Sequence, residues 1–223
     1  ENGAALAEQT YNRHLGVVGG ISILGTSGIV EPMSEKALVD TIRLELDSLY
    51  AQGQRIAFLC PGNYGADFAR DTLGLELGRA VKCSNFIGEA LDHAVYRGYP
   101  DILLVGHAGK LVKLAAGGMN THSSVADGRQ EIFTAHAALC GAGQDTLAAL
   151  MEAVSVDACV AALDKAGLRE PVLARIGKAM EERLARRLKQ RAHGAFIMFT
   201  GQYGVLAESP DARRLCGKLR EDV

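Results

Sequence analysis

Between Gly16 and Ser34 the chain reads GVVGGISILGTSGIVEPMS. Its apolar run from Val17 to Leu24 stops abruptly at Gly25-Thr26-Ser27-Gly28, and an amphipathic stretch begins after Pro32 and Ser34. A buried strand, a glycine turn and then a helix is the order by which α/β proteins bring backbone N–H groups up to a ligand. The turn lacks the full G-x-G-x-x-G spacing, so by pattern alone it is a weak signal of a nucleotide-like site.

The same alternation recurs downstream. Residues 34–51 place Leu38, Ile42, Leu46 and Leu49 on one helical face, with Ser34 as N-cap and Gly53 as the stop. Residues 55–60 read as a strand, 61–65 as a turn and 66–73 as a short helix. A short strand at 81–83 precedes a helix over 85–97, which Gly98-Tyr99-Pro100 ends. Residues 101–105 are a further buried strand, leading into Gly106-His107-Ala108-Gly109. Residues 132–166 are alanine-rich and helical, and 171–192 form a long helix with a stripe of Leu173, Ile176, Met180, Leu184 and Leu188. Residues 195–199 close the sheet as a last strand, and the tail after Glu208 is polar. Strands apolar on both faces and separated by helices imply an α/β fold. The expectation is an open, mostly parallel sheet with flanking helices, Rossmann-like and three-layered.

Composition narrows the function. The 223 residues suffice for one sizeable core. A net charge of −2 removes any global basic field for nucleic acid or an anionic membrane surface, so an anion site must be local. No run reaches the roughly 18 apolar residues of a membrane span, and the N-terminus has no signal-peptide pattern. Five cysteines without a C-x-x-C pair read as reduced small hydrophobes and point to the cytoplasm. The basic positions Arg183, Arg186, Arg187, Lys189 and Arg191 read as a solvated helix face paired with Glu181 and Glu182, or else as an anion surface.

Four strand ends lead into glycine-bearing loops: 25–28, 62–65, 106–109 and 201–204. In a parallel sheet such ends line a ligand crevice. Gly62-Asn63-Tyr64-Gly65 and Gly201-Gln202-Tyr203-Gly204 resemble each other closely, each offering an amide for hydrogen bonding and a phenol for stacking on a ring. Each tyrosine reads equally well as a half-buried packing residue. The richest segment is 106–129. A helix starting near Ala108 would put Lys110 and Lys113 on one face, the Gly117-Gly118 pair would break it, and residues 119–128 form an exposed functional loop. No nucleophile elbow and no metal-ligand spacing occurs, so no metal is expected. His14 and His193 read as ordinary surface residues.

Several long strings, GGISILGTSGIVEPMS, GNYGADFA, KCSNFIGEALDHA and ILLVGHAGKLVKLAAGGMNTHSSVADGR, resemble the C-terminal part of the CbiD family of cobalt-precorrin-5B (C1)-methyltransferases. The likeness runs from about Thr10 to Glu208. It implies methylation of ring carbon C1 of cobalt-precorrin-5B, giving cobalt-precorrin-6A, in anaerobic cobalamin synthesis. S-adenosylmethionine is the implied methyl donor and S-adenosylhomocysteine the product. CbiD-like proteins begin with a domain carrying a GYTTGTCAAAA-type motif, which this sequence lacks. Residues 1–15 are then a lead-in from a missing first domain, 16–223 a single domain, and the chain a fragment.

On that resemblance Gly25, Thr26, Ser27, Gly28, Gly62, Asn63, Tyr64, Gly65, Asp67 and Gly106 would hold S-adenosylmethionine, with Asp67 toward the ribose. Lys110, Lys113, Asn120, Thr121, Ser123 and Arg129 would hold the tetrapyrrole, whose acetate and propionate arms want cations. His107 or His122 would move a proton near neutral pH. The implied partner is thus the small-molecule tetrapyrrole, with no nucleic acid or membrane and with a homodimer left open. Two alternatives stand beside this reading. One is a non-catalytic α/β module that binds a nucleotide or tetrapyrrole. The other is an NAD-type oxidoreductase domain, disfavoured by the missing third glycine.

Overall fold

The computed structural model describes residues 34–125 and 127–221. The expected strand at 17–24, the loop Gly25-Thr26-Ser27-Gly28, His14 and the boundary near residue 15 lie outside the described residues.

One sheet has the order β2-β1-β3-β4-β5, with β1 at Ile56–Cys60, β2 at Ala80–Lys82, β3 at Asp101–His107, β4 at His193–Thr200 and β5 at Gly204–Glu208. β2, β1, β3 and β4 are mutually parallel, and β5 turns back antiparallel along β4. Successive side chains on a strand point to opposite faces, and here both faces are covered. Ala57, Leu59, Ile102, Leu104, Phe196 and Met198 enter the larger core. It is closed by α1 (Glu35–Ala51), α3 (Ile87–Arg97), α4 (Ala108–Leu111) with its 3-10 continuation, and α8 (Arg169–Leu188). Three shorter helices, α5 (Arg129–Ala138), α6 (Gln144–Met151) and α7 (Val156–Ala166), extend that layer. Ile56, Phe58, Leu103, Val105, Ala195 and Ile197 face the smaller core under α2 (Asn63–Asp71) and α9 (Ala212–Glu221). The result is the expected α/β three-layer fold with a mostly parallel sheet.

The stripe of α8 behaves as its spacing predicts: Leu173, Ile176, Met180, Leu184 and Leu188 are all buried. On α1, Ile42 and Leu46 are buried but Leu38 is left exposed, and Ser34 holds the cap position without a side-chain cap bond. Tyr99 fixes α1 to the next layer, because its buried hydroxyl donates to the Leu46 carbonyl at 2.7 Å. Cys60, Cys83, Cys159 and Cys216 are buried, Cys140 is half-buried, and all five are free.

Three expectations are corrected. α2 begins at Asn63 rather than Ala66, so Asn63, Tyr64 and Gly65 form its first turn. The last strand is not 195–199: Gly201-Gln202-Tyr203 is a hairpin turn and β5 follows it as an edge strand. The apolar run Val205-Leu206-Ala207 is only three residues long and leads straight into the polar tail, which leaves its sequence signal weak. The alanine-rich stretch breaks into three helices, at Gly141 (φ +82) and at Ser155, whose hydroxyl caps α7 by accepting from the Ala158 N–H.

Candidate functional site at the strand-end rim

Parallel pairing puts the C-terminal ends of β1, β2, β3 and β4 on one rim. Beyond β1 the chain passes Gly62, whose φ of +95 at the cap of α2 is a conformation glycine adopts without a Cβ penalty. Gly65 lets α2 sit directly on the sheet, since a Cβ there would stand 2.6 Å from the Val105 carbonyl oxygen. Gly106, expected to contact cofactor, lies buried inside β3, where a Cβ would stand 2.7 Å from the Pro61 ring.

A cleft of about 500 Å3 opens between the β1 and β2 ends and α1, lined by Leu38, Thr41, Ile42, Gly62, Asn63, Lys82 and Ser84. Lys82 ends β2, and its ammonium donates to the Asn63 side-chain oxygen at 3.2 Å. Ser84 carries a φ of +50, an uncommon conformation for a residue with a Cβ. Its carbonyl lies 3.5 Å from the Lys110 ammonium. Burial pushes the Lys110 pKa down, so this half-buried cation is less costly when an anion approaches. On the neighbouring helix, desolvation raises Glu45 to about 7 against the opposing pull of Lys82.

Rings continue the rim past β3. Phe68 stacks on Phe199 at 3.8 Å, Phe199 meets His107 edge-on at 5.8 Å, and His107 lies 5.9 Å from Tyr64. Tyr64 is 76% exposed, so this row of rings ends in an open phenol face. His107 Nδ1 accepts the Gly109 N–H at 3.1 Å, which leaves Nε2 to carry the proton in the neutral ring. Desolvation lowers the pKa of His107, with Asp157 acting the other way. One side-chain oxygen of Asp157 is buried with no hydrogen-bond partner among the described residues.

The loop after β3 is stitched to the loop after β2. The Thr121 N–H and hydroxyl donate to the Asn85 carbonyl and side-chain oxygens at 3.0 and 3.3 Å. Lys113 is only 5% exposed and donates to the Thr121 carbonyl at 3.1 Å, with Asp127 at 3.7 Å. Arg129 grips both oxygens of Asp127, and its guanidinium holds that carboxyl below the usual range. The helix carrying Lys110 tightens into a 3-10 turn at Val112, so the two lysines serve different contacts instead of one open face. Asn120 accepts the His122 N–H, and His122 Nδ1 sits 2.7 Å from the Ser124 hydroxyl, with His122 and Ser123 exposed. Asp67 is exposed on α2 and pairs with Arg70 at 3.3 Å.

The rim thus gathers Gly62, Asn63, Tyr64, His107 and Lys110, while Lys113, Thr121 and Arg129 brace the loop. Lys82, Ser84 and Asn85 were not singled out from sequence. The rule that ligands sit beyond parallel strand ends, applied to 81–83, would have found them. A larger concavity of about 1000 Å3 runs between α8 and β5, but strand and helix flanks line it rather than parallel strand ends. Among the described residues no three His, Cys, Asp or Glu side chains are grouped to hold a metal ion, and no helix is long and apolar enough to cross a membrane.

Residues 120–210 match the family model described as CbiD, C-terminal domain, and residues 1–32 match that described as CbiD. The chain is 48% identical over 200 residues to a cobalt-precorrin-5B C(1)-methyltransferase of Ruminiclostridium cellulolyticum, covering 90% of this chain and 52% of the relative. One from Alkaliphilus metalliredigens is 39% identical over 220 residues, covering 99% and 58%. One from a Thermoanaerobacter species is 47% identical over 166 residues, covering 74% and 45%. The chain spans about half the length of these curated relatives. No solved structure matches it. At these identities and coverages the chain is a member of the CbiD family.

Proposed function

We propose that the chain is part of a cobalt-precorrin-5B C(1)-methyltransferase of cobalamin synthesis, and that its strand-end rim holds S-adenosylmethionine beside the tetrapyrrole. The names of its relatives support the reaction class. The observation that carries the site is the cleft of about 500 Å3 at the ends of β1 and β2. The groups at and beside it fit the cofactor: Asn63 of the cleft and the exposed face of the adjoining Tyr64 suit a purine, and the Lys110 ammonium, 3.5 Å from the carbonyl of the cleft residue Ser84, suits a carboxylate. When bound, S-adenosylmethionine supplies a methyl group on a sulfonium, ready for in-line displacement.

Such a transfer needs no protein nucleophile, only alignment and exclusion of water. The work of the chain's residues is therefore positional. Gly62 and Gly65 let α2 approach closely, Thr121 and Asn85 close the loop over the rim, and Lys113, Asp127 and Arg129 hold that loop rigid. His107 enters as a neutral ring whose Nε2–H donates a hydrogen bond. It takes up a proton only by giving up the Gly109 amide at Nδ1. The exposed residues His122, Ser123 and Ser124 face the tetrapyrrole in this reading, with Asn120 beside them.

Calorimetric titration with S-adenosylhomocysteine and, separately, with NAD tests the reading. Saturable binding of the former that weakens in Lys110→Met supports it. Binding of NAD alone removes the methyltransferase assignment.

A further inference from the structure

The end of α8 carries a feature that methyl-donor binding leaves unused. Arg183, Arg186, Arg187, Lys189 and Arg191 all line one groove of about 590 Å3. Its acidic member is Asp92 of α3, and Arg187 already occupies both carboxylate oxygens, at 3.0 and 2.7 Å. The pairing with Glu181 and Glu182 expected from the helix spacing is not made. Among the described residues, Arg183, Arg186, Lys189 and Arg191 have no carboxylate within ion-pair distance.

Like charges gathered in a concavity repel one another and gain from a multivalent anion. The field at a helix C-terminus favours the cations of the last turn, Arg186 and Arg187. It does not account for Arg191, which lies beyond Lys189 and Gln190, two residues with φ of +50 and +60 that turn the chain back toward β4. The chain's net charge of −2 makes this concentration a local one.

The groove is also apolar. Leu188 is buried at its base, Val95 and Met119 are half-buried, and Tyr96 presents a ring that is 83% exposed. Cations around an apolar floor suit a flat apolar body edged with carboxylates better than a compact anion such as phosphate. The groove is tied to the rim through Met119, whose carbonyl accepts the Gly88 N–H at 2.9 Å, two residues before Thr121 is stitched to Asn85.

We propose that this groove is a carboxylate-recognition subsite for a tetrapyrrole, with Arg183, Arg186 and Arg191 pairing with its acidic arms and Tyr96 lying against its ring. The identity of the ligand rests on the function proposed above, and the groove's chemistry does not. The test uses the 223-residue chain and uroporphyrin, a stable octacarboxylate macrocycle, followed by fluorescence titration. The Arg183→Gln/Arg186→Gln/Arg191→Gln variant should bind it about tenfold or more weakly. Its melting temperature and S-adenosylhomocysteine affinity should be unchanged, and the triple Arg→Lys variant should recover part of the binding. Tetracarboxylate coproporphyrin should bind the parent chain more weakly than uroporphyrin.

Equal uroporphyrin binding by parent and Gln variant would overturn the subsite, as would no saturable binding by the parent. Equal affinity for the two porphyrins, or displacement by inorganic phosphate at matched ionic strength, would overturn the carboxylate assignment. Uroporphyrin binding that follows the arginines in a chain that does not take up S-adenosylhomocysteine would leave the subsite standing and refute the methyl-donor rim.

Discussion

Gly62-Asn63-Tyr64-Gly65 and Gly201-Gln202-Tyr203-Gly204 are near-twins in sequence and come after parallel strands on the same rim, yet they become different objects. The first opens a helix, with Tyr64 exposed beside His107. The second is a hairpin turn: the Tyr203 N–H donates to the Thr200 hydroxyl at 3.1 Å, and the half-buried Tyr203 ring is covered by the Arg169 guanidinium at 4.8 Å. The residues after each tetrapeptide make the difference. Ala66-Asp67-Phe68-Ala69 continues with helical spacing and buries Ala66 and Ala69, whereas Val205-Leu206-Ala207 extends along β4. Four residues set the capacity to turn, and the flanking periodicity sets which turn is made.

The glycines give the sharpest way to break this comparison. Gly65→Ala should cost about 2–4 kcal/mol in urea unfolding, because its Cβ meets backbone that cannot move aside. Gly204→Ala should cost only about 1 kcal/mol for its φ of +67, and Gly201→Ala, with open space around it, should stay within about 0.5 kcal/mol. Comparable losses at Gly65 and Gly201 would mean the two loops are packed alike.

Next in size is a pH effect confined to the β1–β2 end. The Glu45 pKa is raised from 4.5 to about 7 by burial, so the folded state keeps a proton that the unfolded chain releases. Stability from this group is complete below about pH 4.5 and is lost as pH rises through 7. Glu45→Gln should therefore stabilise the protein at pH 8, by about 1–2 kcal/mol after allowance for solvent screening, and have little effect at pH 4. A gain at pH 4 that disappears at pH 8 would reverse the assignment.

The tyrosines separate packing from recognition. Tyr203→Ala should cost about 1 kcal/mol of stability through its lost contacts and leave S-adenosylhomocysteine binding intact. Tyr64→Ala should change stability by less than about 0.5 kcal/mol and weaken that binding by about tenfold. The opposite partition would make the hairpin, not the α2 end, the ligand-facing turn.

Much of this molecule was present in one dimension. Alternating apolar runs and glycine stops foretold the parallel strands, the α8 stripe and the 62–65 and 201–204 turns on one rim, whereas 106–109 is the end of β3 and the start of α4, and 25–28 lies outside the described residues. Long strings resembling the CbiD family pointed to the family. Such features depend on neighbours within a turn of helix or along a single strand, so the chain by itself determines them. Only the tertiary structure decided which charges are taken up and which are left over. Lys113 is buried against Thr121, Thr121 is bound to Asn85 across 36 residues, and Arg187 reaches Asp92 across 95. Each pairing depends on which faces the packed helices turn toward each other, and chain spacing alone leaves that undetermined. The same packing set Tyr64 in the open and Tyr203 beneath an arginine.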